Sequence, residues 1–194
     1  FTPLVISILL SILIVKNFSS NFLINTILIS SALYLFFITL RDFFSKRFKN
    51  LAQNTAHFGF SLLILSILFN SLFSSEIITN LKVGQTFENT KAKIVFESLS
   101  QKEGENYKSI IGNFIVQDSK GKIENLSPEL RIYNQPNITT SEADIKTTLL
   151  SDKFIVINLV QNQEFFNVRY QVKPFMLWIW ICLLYTSDAA DEPK

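Results

Sequence analysis

The apolar run from Leu51 to Phe73 is long enough to cross a bilayer as one helix, and it contains His57, the only histidine of the chain. A helix of that character must be covered along its length by lipid or by protein. An imidazole at membrane depth is costly to place there, which makes it a functional-site hypothesis by default. Its surroundings, Asn54-Thr55-Ala56-His57-Phe58-Gly59-Phe60-Ser61, put small residues at 52, 56, 59 and 61, where a neighbouring helix or a flat cofactor could approach the backbone. Two readings stay open from the residues alone: a metal ligand, or a ring that hydrogen-bonds across a helix pair.

Apolar residues make up 48% of the chain and are concentrated toward its two ends, the distribution of a membrane protein with a polar insert. The formal net charge is only +2, and no basic cluster with interleaved aromatics points to nucleic acid. Cys182 is the single cysteine, so the middle of the chain must be held by an ordinary core. The chain opens at Phe1 with neither a basic leader nor a small-residue cleavage site, and it reads as a piece of something longer. A last apolar run, 174–185, has about twelve residues where a span needs about 20, and it stops at an acidic segment. Residues from about Cys182 to Lys194 are therefore expected to be a non-native tail and carry no functional weight.

Between these ends the pattern changes twice. Residues 1–73 are expected to hold helices over about 4–15, 22–40 and 51–73, with a connector at 41–50 that carries four basic residues, Arg41, Lys46, Arg47 and Lys49, against one acid. By the positive-inside rule that connector is cytoplasmic, and the polar region after Phe73 lies on the other side. Over 74–173 the period becomes two: 92–99, 110–117, 122–126, 129–133, 154–160 and 165–172 read as strands, with turn signals at Asp118-Ser119-Lys120-Gly121 and Gln161-Asn162-Gln163-Glu164. The fold class expected is an α-helical integral membrane protein with an inserted extracytoplasmic all-β domain, an antiparallel barrel or a sandwich.

No serine or cysteine can be paired with a base outside the apolar run, so no catalytic residue is assigned. Gly104 and Gly112 stand alone, without a phosphate-cradling pattern. Trp178-Ile179-Trp180 reads as an interfacial aromatic belt.

The order of several segments is more specific than any one of them. Ala56-His57-Phe58-Gly59 is followed by Gly104-Glu105-Asn106-Tyr107, Arg131-Ile132-Tyr133, Thr140-Ser141-Glu142-Ala143-Asp144-Ile145, Val168-Arg169-Tyr170 and Lys173-Pro174-Phe175-Met176-Leu177-Trp178-Ile179-Trp180. This succession resembles the C-terminal part of the CcmF/CycK/NrfE family of cytochrome c biogenesis proteins. The resemblance implies a membrane haem lyase subunit of the bacterial inner membrane with a periplasmic domain. It implies that His57 is an axial ligand of a b-type haem, with the second histidine and the tryptophan-rich haem-handling segment lying outside this sequence. The implied partners are a haem chaperone, apocytochrome c, the other subunits of the maturation complex and membrane lipid. Neutral imidazole suits haem iron, and burial and ligand identity tune its potential. His57 lies about six residues, or roughly 9 Å, from the basic connector, with Ala56, Gly59 and Ser61 expected to leave room for a porphyrin edge. Two other classes compete: a membrane-anchored scaffold whose β domain recruits partners without haem, and a sensor or transporter fragment in which His57 titrates.

Overall fold

The computed structural model describes residues 2–16, 21–45, 51–119, 121–160 and 164–188. The chain divides into two compact units. One comprises Phe1–Ser74, Thr148–Ser151 and Lys173–Lys194, and the other Ser75–Thr147 and Asp152–Val172.

The first unit is helical: α1 (Thr2–Val15), α2 (Phe22–Phe44), α3 (Leu51–Phe73) and α4 (Met176–Asp188). α2 continues past the expected end at residue 40, so Arg41 and Asp42 belong to its last turn and not to the connector. A cation there complements the negative end of the helix dipole. The rest of the basic connector, 46–50, lies outside the described residues. Ile29, Ala32 and Leu33 of α2 are buried with Val15 of α1 and Leu65 of α3, at the three- and four-residue spacing of a helix face. Ser7 and Ser11 are buried on α1, and each hydroxyl is spent on its own helix, on the carbonyls of Pro3 (2.7 Å) and Ile8 (2.8 Å).

The second unit is a sandwich of two sheets. Its strands are β1 (Ser75–Leu81), β2 (Thr86–Glu88), β3 (Ala92–Glu103), β4 (Tyr107–Asp118), β5 (Ile123–Leu126), β6 (Glu129–Tyr133), β7 (Thr139–Glu142), β8 (Asp144–Thr147), β9 (Ser151–Leu159) and β10 (Phe166–Pro174). One sheet has the order β1-β10-β9-β8 and the other β2-β3-β4-β6-β7, with β5 also pairing β4. A sandwich, not a barrel, is the outcome. Alternate residues of both sheets point inward: Ile94 and Phe96, Phe114 and Val116, Ile155 and Ile157, Val168 and Tyr170 are all buried in one core. Phe96 and Phe114 sit opposite in the β3–β4 register and stack with centroids 4.3 Å apart.

Two glycines have local reasons. A Cβ at Gly112 would lie 2.7 Å from the Phe114 ring, so glycine lets that ring settle into the core. Gly121 closes the β4–β5 turn at φ +81°, and its N–H donates to the Asp118 carbonyl at 2.9 Å. Of the second turn signal, residues 161–163 lie outside the described residues, as does the end of the expected tail, 189–194.

Candidate functional site

α3 has one open face. Among its described residues, the exposed ones are Gln53, His57, Phe60, Ile67 and Ser71. At 3.6 residues per turn these fall in a single stripe along the helix. Phe60 is 55% exposed and Ile67 48%. The His57 imidazole lies in this stripe and makes no side-chain hydrogen bond among the described residues; neither does Gln53, one turn before it.

The other faces of α3 are occupied. Phe58 packs between Phe36 and Phe43 of α2, with ring centroids at 5.6 and 5.5 Å. Ser61, one turn on, shares a 2.7 Å hydrogen bond with Thr39 of α2, and both residues are buried. The seam is thus aromatic, hydroxyl, aromatic along α2 at 36, 39 and 43, the i, i+3, i+7 spacing of one helix face. This corrects one expectation: Ser61 leaves no room for a cofactor edge beside His57, because its hydroxyl is engaged against α2. Ala56 and Gly59 are half-buried.

Nearer its C-terminal end α3 meets α4. Asn70 donates from Nδ2 to the Pro174 carbonyl at 2.6 Å, the Phe175 N–H donates to the Leu150 carbonyl at 2.9 Å, and Trp178 Nε1 donates to the Leu149 carbonyl at 2.9 Å. Phe175 holds φ +61°, uncommon for a residue with a side chain. Trp178 is therefore tied to a backbone carbonyl, which belt chemistry did not anticipate, while Trp180 is 54% exposed. Leu62, Leu65, Phe69, Phe175 and Trp178 line an apolar cavity of about 230 Å³; none of its lining residues is on the His57 stripe.

The sandwich contains a second polar feature. Lys153 occupies the inward row of β9 with Ile155 and Ile157 and is 8% exposed. Its Nζ lies 3.1 Å from Asp118 Oδ2 on β4 and 3.1 Å from Glu124 Oε2 on β5, so it ties one sheet to the other. Asp118 uses its other oxygen to accept the Lys122 N–H at 3.0 Å, and Lys122 Nζ approaches Glu124 at 2.7 Å. Burial works to raise the Glu124 pKa, but hydrogen bonds and attraction from Lys122 and Lys153 outweigh it and hold the carboxyl below its ordinary value. Tyr170, 3% exposed, is pushed up by burial and by the nearby charges of Glu124 and Asp118. Its hydroxyl has no hydrogen-bond partner among the described residues. Nothing in the sequence pattern but the lysine within an apolar alternation could have flagged this cluster.

Among the described residues no group of three or more His, Cys, Asp or Glu side chains converges as a metal site. The imidazole of His57 is one ligand in need of others.

A family model described as the CcmF C-terminal beta-sandwich matches residues 72–174, more than half of the chain. The chain belongs to the CcmF family. Among curated relatives in this family, the cytochrome c-type biogenesis protein CcmF of Pseudomonas aeruginosa is 29% identical over 125 residues, 64% of this chain and 19% of the relative. The cytochrome c-type biogenesis protein ccl1 of Rhodobacter capsulatus is 32% identical over 130 residues, 66% of this chain and 20% of the relative. A solved structure titled cytochrome c heme lyase CcmF shares the fold with TM-score 0.66 at 16% identity, covering 92% of this chain and 31% of that one. The chain spans about a fifth of the length of the curated CcmF relatives it matches.

Proposed function

We propose that this chain is the C-terminal portion of a membrane subunit of the cytochrome c maturation machinery, a haem lyase component in which His57 is an axial ligand of a b-type haem. The observation that carries the reading is the stripe on α3: an unpartnered imidazole on the one face of that helix which no described element covers. A haem ligated from this side would have space beside the helix, and Ala56 at its margin keeps the backbone accessible. A single histidine fits one axial position, so the second ligand must come from outside this chain. When bound, such a haem supplies one-electron chemistry whose potential is set by its ligands and their burial. The role of this chain is to present the imidazole and to fix its height along α3 through the Phe58 and Ser61 contacts with α2.

The membrane setting belongs to the same proposal. Phe22–Phe44 and Gln53–Phe73 are apolar and long enough to cross a bilayer. With the basic connector cytoplasmic, α3 runs outward and the sandwich over 74–173 is periplasmic, where apocytochrome c and a haem chaperone would meet it in the bacterial inner membrane. Single cysteines at Ser45 and Ser119 test the orientation. A membrane-impermeant thiol reagent added to spheroplasts should label Ser119→Cys alone, and labelling of Ser45→Cys alone would reverse the topology.

The haem assignment is tested in cells that depend on the parent protein. His57→Gly should abolish holo-cytochrome c, and exogenous imidazole should restore part of it, because the space left by the ring admits a free ligand. Undiminished maturation in His57→Gly would reject the assignment.

A further inference from the structure

The open stripe of α3 is graded in polarity: Gln53 stands one turn before His57, and Phe60 and Ile67 follow it. Haem has a matching asymmetry, with two carboxylates on one edge and apolar substituents on the other. We propose that Gln53 receives the carboxylate edge of the haem, so that the porphyrin is oriented with its propionates toward the N-terminal end of α3 and its apolar edge along Phe60. This inference rests on the ligand role of His57 proposed above.

Two independent observations lead to the same orientation. The first is side-chain chemistry: the Gln53 amide carries two N–H donors, is exposed on the stripe and has no hydrogen-bond partner among the described residues. The second is depth. The apolar run of α3 extends from Leu51 to Phe73. His57 is therefore about 9 Å along the axis from the near end and about 24 Å from the far one, at 1.5 Å per residue. Carboxylates pointing to the far end would be held in hydrocarbon, where an unpaired charge is heavily penalised, whereas those pointing to the near end reach the polar boundary. Ser71, the polar residue at the other end of the stripe, lies about 21 Å from His57 along the axis, too far for a ring ligated at His57. Gln53 is thus a positioning residue whose amide offsets propionate charge near the iron.

The test uses the purified full-length parent carrying its haem, with two readouts: the midpoint potential and the haem carboxylate bands in redox difference infrared spectra. Gln53→Leu should lower the potential, because an uncompensated propionate favours ferric iron, and should shift the carboxylate bands. Gln53→Lys should raise the potential, and Gln53→Asn should fall between wild type and Gln53→Leu. Opposite shifts from Leu and Lys at one position are not produced by a loosened helix. Ser71→Leu should leave both readouts unchanged. A His57-dependent haem whose potential and carboxylate bands are the same in wild type, Gln53→Leu and Gln53→Lys would overturn the orientation while leaving the ligand intact. Full haem content in His57→Ala would instead remove the ligand reading.

Discussion

In the sandwich, Ile94, Phe96, Ile155 and Ile157 are each 0% exposed, while on α1 and α2 the equally apolar Leu9, Leu13, Leu23 and Ile27 stand 57%, 65%, 75% and 67% exposed. The contrast separates two ways of satisfying apolar residues. Strands at a period of two turn their large side chains toward a facing sheet within the same chain, and the core closes on itself. The helices carry apolar residues all round and bury only the narrow stripe where they meet one another, a pattern that needs a surrounding medium or further helices. Polar groups follow the same division. In the sandwich Lys153 is neutralised by carboxylates of its own unit, whereas His57 and Gln53 on α3 make no side-chain hydrogen bond among the described residues.

The sharpest way to break this comparison is to remove a closed-core ring. Phe96→Ala should cost the sandwich about 3–5 kcal/mol, since it also leaves the Phe114 ring without its stacked partner. Denaturant unfolding of residues 74–173 would measure it. Leu13→Ala on the outward face of α1 should leave the parent protein's thermal stability almost unchanged, and an equal loss at both positions would erase the distinction between the two units.

Next in size is the inter-sheet charge. Lys153→Ala leaves Asp118 and Glu124 facing each other without their shared cation and should destabilise by about 3 kcal/mol. The pH dependence has a definite sign. Because the Glu124 carboxyl is held below its ordinary value of 4.5 in the folded state, its contribution is present above that pH and lost as pH falls through the folded value. Wild-type stability should fall across that acid window, and Lys153→Met should flatten the fall. An unaltered acid limb in Lys153→Met would show that the pin carries none of it.

How much of this was legible beforehand differs between the units for physical reasons. Strands β3, β4, β5, β6, β9 and β10 were readable because their Ile, Val and Phe alternate with polar neighbours over stretches of four or more residues. β7 (Thr139–Glu142) has no apolar residue and β2 and β8 have one each, Phe87 and Ile145, so no alternation registers, and β1 follows a long helix with only Ser74 between them. Barrel and sandwich share the same alternation, so only the pairing order separates them. On the helices, the apolar runs stood out, but their faces did not: a helix apolar on every side has little amphipathic contrast from which to read its orientation. Such a helix gives no sign that Ser61 faces α2 and not the side of His57, or that Asn70, Phe175 and Trp178 form a hydrogen-bonded joint.

The smallest expected effect belongs to the α2–α3 seam. Thr39→Val removes the hydroxyl that meets Ser61 at 2.7 Å and, in the membrane setting proposed above, should cost the helix pair only about 0.6 kcal/mol. A loss several times larger in thermal unfolding of the parent would mean that the seam, and not the surrounding medium, holds these helices together.

The most direct measurement is the visible absorption spectrum of the purified full-length parent carrying His57→Ala, beside Asn54→Ala on a different face of the same helix. If the open stripe of α3 is a haem face, His57→Ala strips the low-spin bis-histidine spectrum and Asn54→Ala retains it. A wild-type haem spectrum in His57→Ala would contradict the account and leave His57 as a residue packed against another helix.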